Sequence, residues 1–198
     1  MYRIEGLMKR QDIIDGRCGW CAGDELYTKY HDTEWGRPAE DEKILFEFLI
    51  LEGAQAGLSW ITILRKRESY REAFLGFEPE AVAKMTEKDI DRLMQESGII
   101  RNRMKIRSAV NNAKHFLEVQ QEFGSFRNYI LSFLPGKKPI VNHFKSLEEI
   151  PAVSPESEAI SRDMKKRGFS FFGPVCCYSF LQAAGFVNDH LEGCICRR

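Results

Sequence analysis

Residues 41–74 read DEKILFEFLILEGAQAGLSWITILRKRESYREAF. Ile44, Leu45, Phe48, Leu51, Ala54 and Ala56 keep an apolar face at helical spacing until Gly57, and Ser59 is placed to cap a second helix running through Phe74. Two packed helices meeting at Gly57 are the expectation. Outward from this stretch the same period returns. Thr86 with Asp89 forms a capping-box pattern ahead of Ile90, Leu93 and Met94, and Gly98 marks the stop. Asn102 to Phe123 carries Ile106, Val110, Ala113, Phe116 and Leu117 at helical spacing, and Ser125 to Leu134 adds a short helix. Ser154 followed by Pro155 starts a helix that runs to Gly168, and another spans about Pro174 to Gly185. No convincing alternating strand is present, so the expected class is an all-α domain with short connections.

The chain has 198 residues, which fits one domain, and its 43% hydrophobic and 29% charged content is that of a folded globular protein. Lys plus Arg equals Asp plus Glu at 29 each, so a polyanionic partner must be held by a local patch. The longest apolar run, Ile44 to Leu51, is interrupted by Glu47 and is far shorter than a membrane span. The first residues mix Arg3, Glu5, Lys9, Arg10, Asp12 and Asp15 among apolar ones, unlike a secretory signal. A cytoplasmic location without membrane attachment is therefore expected. Residues 1–17 read as a loosely attached extension and residues 18–198 as the single domain. Six cysteines in a reducing compartment point toward metal or free thiols more than disulfides.

Three groups of residues could carry chemistry. Cys18 and His31 lie near one end, His190 and Cys194 near the other, and the last two, four apart, would share one face of a helix. Two thiolates and two imidazoles suit tetrahedral zinc, although the long gap leaves buried thiols and ordinary histidines equally open, with Cys21, Cys176, Cys177 and Cys196 as competing ligands. Cys176 and Cys177 read as core. Trp20, Tyr27, Tyr30 and Trp35 precede the helix carrying Glu52, and Trp60 opens the next. An aromatic cage around one acid would suit a flat cationic ligand; the alternative is that the rings fill core and Glu52 faces solvent. Lys165, Lys166, Arg167 and Gly168 precede Gly173 and a new helix, a turn whose amides can hold phosphate. Arg101, Arg103, Lys105, Arg107 and the run Arg65, Lys66, Arg67, Arg71 would extend that patch or form solvated helix faces.

Taken together, the pieces Arg17-Cys18-Gly19-Trp20, Tyr30-His31-Asp32-Thr33-Glu34-Trp35-Gly36, Leu51-Glu52-Gly53, Ala56-Gly57-Leu58-Ser59-Trp60-Ile61-Thr62, Ser97 to Asn102, Cys177 to Phe180, Val187 to His190 and Gly193-Cys194 resemble the 3-methyladenine DNA glycosylase I family of the helix–hairpin–helix glycosylase superfamily. The resemblance spans Arg17 to Cys196. It implies a helix–hairpin–helix glycosylase-like domain in which Cys18, His31, His190 and Cys194 bind one structural zinc joining the two terminal segments. It further implies that Glu52 reads and helps release the damaged base, with Tyr30 and Trp60 around it and Trp20 and Tyr27 lining the pocket. Lys166, Arg167, Gly168 and Gly173 would hold the DNA backbone.

The implied substrate is duplex DNA containing alkylated bases, and the implied reaction is flipping and hydrolytic excision of 3-methyladenine by a monomer without a lyase step. Asp189, at the distance where wider relatives place a catalytic aspartate, is expected to orient His190, because the family resembled works without that aspartate. The rival from another class is a non-catalytic zinc-containing DNA-binding module. A thiol redox protein is a weaker third reading, lacking a C-x-x-C motif.

Overall fold

The computed structural model describes residues 11–197, and in it the helical expectation holds. A short hairpin, β1 (Ile13–Ile14) and β2 (Arg17–Cys18), leads to α1 (Glu25–Thr33) and α2 (Glu42–Gln55). Then come α3 (Trp60–Leu64), α4 (Arg67–Ala73), α5 (Pro79–Val82), α6 (Glu87–Leu93), α7 (Arg103–Phe123) and α8 (Phe126–Leu131). After β3 (Ile140–Val141), the chain ends with α9 (Pro155–Lys166), α10 (Pro174–Ala183) and β4 (Val187–Asn188). The four strands are two residues each, antiparallel in the first pair and parallel in the second, with Ile140 opposite Val187. Pairs this short leave no alternation to read in a sequence. None of the described helices is long and apolar enough to cross a membrane.

The helix predicted around Phe48 is the centre of the fold. Every residue from Leu45 to Ala54 is buried, because α3, α7, α8 and α10 all pack on α2. A helix enclosed on all sides needs apolar residues on all sides. Its start is capped by Asp41, whose carboxylate accepts from Lys43 N at 2.8 Å. Its end is held by Lys105, which donates to the carbonyls of Ala54 (2.9 Å) and Ala56 (2.7 Å) before Gly57 turns the chain at φ +80°. A cation on the last carbonyls opposes the helix dipole favourably.

The helix expected from Ser59 to Phe74 divides in two at Arg65 and Lys66. Three consecutive cations there take three different partners: Arg65 reaches Asp24 at 2.6 Å, Lys66 the Ser97 carbonyl at 3.0 Å, and Arg67 both Glu34 and Glu47 at 2.6 Å. Arg71 joins Glu47 and Glu68, Arg103 joins Asp91, and Arg107 joins Glu87. Of these pairs only the one between Arg67 and Glu47 is buried, while Arg65, Arg103 and Arg107 carry their acidic partners at the surface. The helix predicted after Thr86, α6, ends at Leu93, before the expected stop at Gly98. By contrast, α7 matches its prediction, with Asn102 accepting from the amides of Met104 and Lys105 and Gly124 ending it at φ +79°. The capping box expected at Thr86 forms, and the cap expected at Ser154 is likewise a box, closed by Ser157.

The boundary expected at residue 17 falls inside a paired element. Residues 12–17 are tied in by Gly19 N to Asp12 O (2.8 Å), Leu147 N to the Asp12 carboxylate (2.7 Å) and Ile195 N to Gly16 O (2.8 Å). The rest of the predicted extension, residues 1–10, lies outside the described residues.

Glu47 is buried against Arg67, so removing the cation strands a charge inside the protein. Arg67→Met is expected to lower unfolding free energy by about 3 kcal/mol, measured by urea denaturation, with Glu47→Gln in the same background recovering part of the loss.

Candidate functional site

The buried helix α2 carries a second glutamate, and its situation differs from that of Glu47. Glu52 is 4% exposed and its Oε2 has no hydrogen-bond partner among the described residues. Burial alone pushes its carboxyl up from 4.5 to about 8. The Trp60 indole N–H, also buried, is likewise unpartnered. Both groups face one pocket of about 300 Å³, walled by Trp20, Tyr27, Tyr30 and Trp35 as well. The reading in which Glu52 faces solvent is thereby set aside. Unmatched buried polar groups are rare and costly, and in a cavity they mark where a ligand's own donors and acceptors belong.

The aromatic walls are packed on one another. Tyr30 and Trp60 have centroids 5.5 Å apart, Trp20 and Tyr27 4.9 Å, and Trp20 and Trp35 4.9 Å. Burial, and after it the Glu52 charge, raises the Tyr30 phenol well above its ordinary value, so it stays a hydroxyl. Gln55, Ser179 and Gln182, with the apolar Leu147 and Ile150, complete the lining and were not foreseen, since single residues of these types carry no sequence signal of their own.

Beside this pocket, Cys18, His31, His190 and Cys194 are all buried, with ligand atoms within 4.8 Å of one another. This group could hold a metal ion. His31 Nε2 lies 3.4 Å from Cys194 Sγ, and His190 Nδ1 lies 3.4 Å from the same sulfur and 3.8 Å from Cys18 Sγ. The two sulfurs act on one another, the contact with Cys18 drawing the Cys194 thiol down and the contact with Cys194 pushing the Cys18 thiol up. His190 and Cys194 are not on a helix as expected. After β4 the chain turns, with Gly193 at φ +92°, and the loop rather than helical spacing brings the two donors together.

The expected role of Asp189 is also overturned. Its carboxylate accepts from Asn142 Nδ2, Tyr178 OH and Gln182 Nε2, each at 2.7 Å, and does not touch His190. His190 Nε2 instead donates to the Trp35 carbonyl at 3.0 Å. The carboxylate that orients a histidine is Asp32, which accepts from His31 Nδ1 at 2.8 Å and is itself held by Arg17. Its signal was its place beside His31.

The turn from Arg167 to Gly173 joins α9 to α10, and the two helices pack together. Gly168 sits at φ +98°, where a Cβ would come 2.6 Å from His115 Nε2. Asn111 donates to the Gly168 carbonyl at 2.8 Å, and Asn112 bonds both the N–H and carbonyl of Ser170 at 2.9 Å. Lys166 is exposed, whereas the Arg167 guanidinium is taken by Asp163 (2.7 Å) and Glu122 (2.6 Å). A further cavity, bounded by Phe171, Gly173 and Pro174, shares Glu52, Gln55 and Ser179 with the aromatic pocket. The turn and the acid are therefore joined by continuous open space.

A helical protein with an aromatic pocket around an unpaired acid, beside a glycine-bearing turn and a Cys/His cluster, is a binder of a small flat ligand. The profile of the methyladenine glycosylase family matches residues 20–198. DNA-3-methyladenine glycosylase 1 of Escherichia coli (strain K12) is 51% identical over 180 residues, 91% of this chain and 96% of that protein. DNA-3-methyladenine glycosylase of Haemophilus influenzae is 50% identical over 181 residues, 91% of this chain and 97% of that protein. A crystal structure of 3-methyladenine DNA glycosylase I superimposes with a TM-score of 0.89 at 48% identity, covering 92% of this chain and 100% of that one. The chain belongs to the methyladenine glycosylase family.

The raised Glu52 carboxyl has a consequence for stability. Between the unfolded value of about 4.3 and the folded value of about 8, the fold retains a proton that the unfolded chain has lost. This contribution is complete below the unfolded value and disappears as pH rises through the folded one. Thermal melts of Glu52→Gln against wild type should show an advantage for the variant that grows from about pH 5 to pH 8 and then levels. A pH-independent difference would mean that Glu52 is not held as a buried acid.

Proposed function

We propose that this chain excises 3-methyladenine from duplex DNA by direct hydrolysis of the glycosidic bond. The observation that carries the reading is the unpartnered Glu52 carboxyl, buried in a ring of aromatic side chains.

The chemistry follows from the damaged base. Methylation at N3 places a positive charge on the purine, which weakens the bond to C1′ and lets the base depart neutral. Leaving-group activation is then a minor task and selection the major one. Flipping the nucleotide costs a few kcal/mol, less for a damaged base than for a paired one. In the pocket, Tyr30 and Trp60 cover the purine faces, Trp20 and Tyr27 close the sides, and Glu52 accepts from the exocyclic amine. The cation draws the Glu52 proton off, so a carboxylate faces the charged base and the developing positive charge on the sugar. Neutral adenine offers no charge to offset burying that carboxylate, and meets a protonated acid instead. Water completes the hydrolysis. None of the described pocket residues is a lysine, which supports a reaction without a Schiff base.

In this reading α9, the turn and α10 form the helix–hairpin–helix element. Lys166 and the Gly173 end of the turn hold the phosphate backbone, Gly168 shapes the turn with its own N–H given to the Lys165 carbonyl, and Arg167 braces the turn through Asp163 and Glu122. Cys18, His31, His190 and Cys194 bind one zinc with a structural role, for which two sulfurs and two imidazoles are a suitable set. In this reading the protein acts as a monomer.

Chromatography of bases released from methylated duplex DNA is expected to show 3-methyladenine, with normal adenine and 7-methylguanine retained. A folded sample releasing nothing would leave a DNA-binding module as the better account. Glu52→Gln should lower kcat/KM for the methylated base roughly 10- to 100-fold, the worth of a hydrogen bond to a charged group, without loss of metal. Elemental analysis of protein purified without chelators should give one zinc per chain; a stoichiometry near zero contradicts the metal assignment.

A further inference from the structure

All three tryptophans of the chain, Trp20, Trp35 and Trp60, line the Glu52 pocket. Two of them also lie against the histidines of the Cys/His cluster. Trp20 packs edge-to-face on His31 at 5.2 Å. Trp35 packs edge-to-face on His190 at 4.7 Å and is stacked with His31 at 6.2 Å. The Trp35 backbone is committed in the same two directions: its carbonyl accepts from His190 Nε2 at 3.0 Å, and its N–H donates to the carbonyl of Tyr30, a pocket wall, at 3.1 Å. The next residue continues the pattern. Gly36 sits at φ +72°, where a Cβ would meet His190 Cδ2 at 3.0 Å, and its N–H donates to the carbonyl of Gln182, which lines the pocket. Pocket and cluster thus share walls, with no intervening layer between them.

We propose that Trp35 is a positioning residue that makes metal binding and base binding one coupled equilibrium. An ion that fixes the two imidazoles fixes the indoles resting on them. A base that fixes the indoles in turn holds the imidazoles in their ligating positions. Such coupling is reciprocal by thermodynamic necessity, so each ligand must strengthen the other by the same factor. This inference rests on the base-binding reading of the pocket given above.

The test uses the full chain loaded with zinc, free 3-methyladenine as the probe, and transfer of zinc to a chromophoric chelator as the readout. Intrinsic tryptophan fluorescence reports base binding, and it reports this site alone because all three indoles line it. Saturating base is expected to weaken zinc transfer to the chelator roughly 5-fold or more, the lower end of ordinary site-to-site coupling. Zinc should tighten base binding by the same factor. Trp35→Ala should keep one zinc per chain and the helical circular dichroism of wild type, while both effects fall below about 2-fold, outside the ordinary coupling range. Should Trp35→Ala not fold, Trp35→Leu takes its place, filling volume without a ring to lie on the imidazoles. Full coupling in the folded variant overturns the role of Trp35. Unchanged zinc transfer in a wild-type protein whose fluorescence responds to base overturns the coupling and leaves the base-binding reading intact. No response to base in zinc-loaded wild type overturns that reading, and the coupling with it.

Discussion

A helix closed off on every side has nowhere to place a charge, and α2 carries two glutamates in its buried stretch from Leu45 to Ala54. Each is handled differently. Glu47 is paired, with Arg67 at 2.6 Å and Arg71 behind it. Glu52 has no cation and holds its proton instead. Both solutions depend on the same burial, and the burial depends on α3, α7, α8 and α10 packing around one helix. The pocket is therefore a property of the core rather than a cleft added to its surface. A carboxyl kept neutral by desolvation is also a selective one: it ionises when a positive charge enters and resists doing so when none does.

Much of this was legible in the sequence because it lies in periodicity and capping. The long helix from Asn102, the cap at Ser154 and the helix after Pro174 came from local signals, and the structure places them within a few residues. The Cys/His set and the aromatic crowd were visible as residue types, and the meeting of Cys18 and His31 with His190 and Cys194 came from the family resemblance, because the long gap between them leaves spacing alone undecided. What the sequence hid was long-range pairing. The apolar spacing from Ser59 to Phe74 is in phase throughout, and only the partners Asp24, Ser97 and Glu47 reveal that the chain turns at Arg65 and Lys66. The same limitation led to Asp189: its distance to His190 in sequence is one residue, yet its carboxylate points to Asn142, Tyr178 and Gln182.

Tight turns make the long-range meetings possible. Gly36 lets the His190 ring pass where a side chain would stand, and Gly168 does the same for His115 beneath the α9–α10 turn. In both places a positive φ and a close neighbour impose the same residue, so glycine is required twice over. The first of these glycines serves the cluster and the pocket together, the second the turn. Asn111 and Asn112, reaching from α7, then fix the carbonyls and amide of that turn from below.

Charge balance explains where DNA can be held. With equal numbers of acidic and basic residues, the chain has no net attraction for a polyanion. Most of its conspicuous basic runs are paired with acidic side chains, Asp24, Glu34, Glu47, Asp91 and Glu87. Attraction must then be local, and the exposed Arg162, Lys165 and Lys166 stand beside the α9–α10 turn. From that turn the open space bounded by Gly173 and Pro174 leads to Gln55, Ser179 and Glu52. A backbone gripped at the turn would deliver a rotated nucleotide along this space to the acid. Phosphate contacts at the turn would set the position of the strand, while the pocket would tell one base from another.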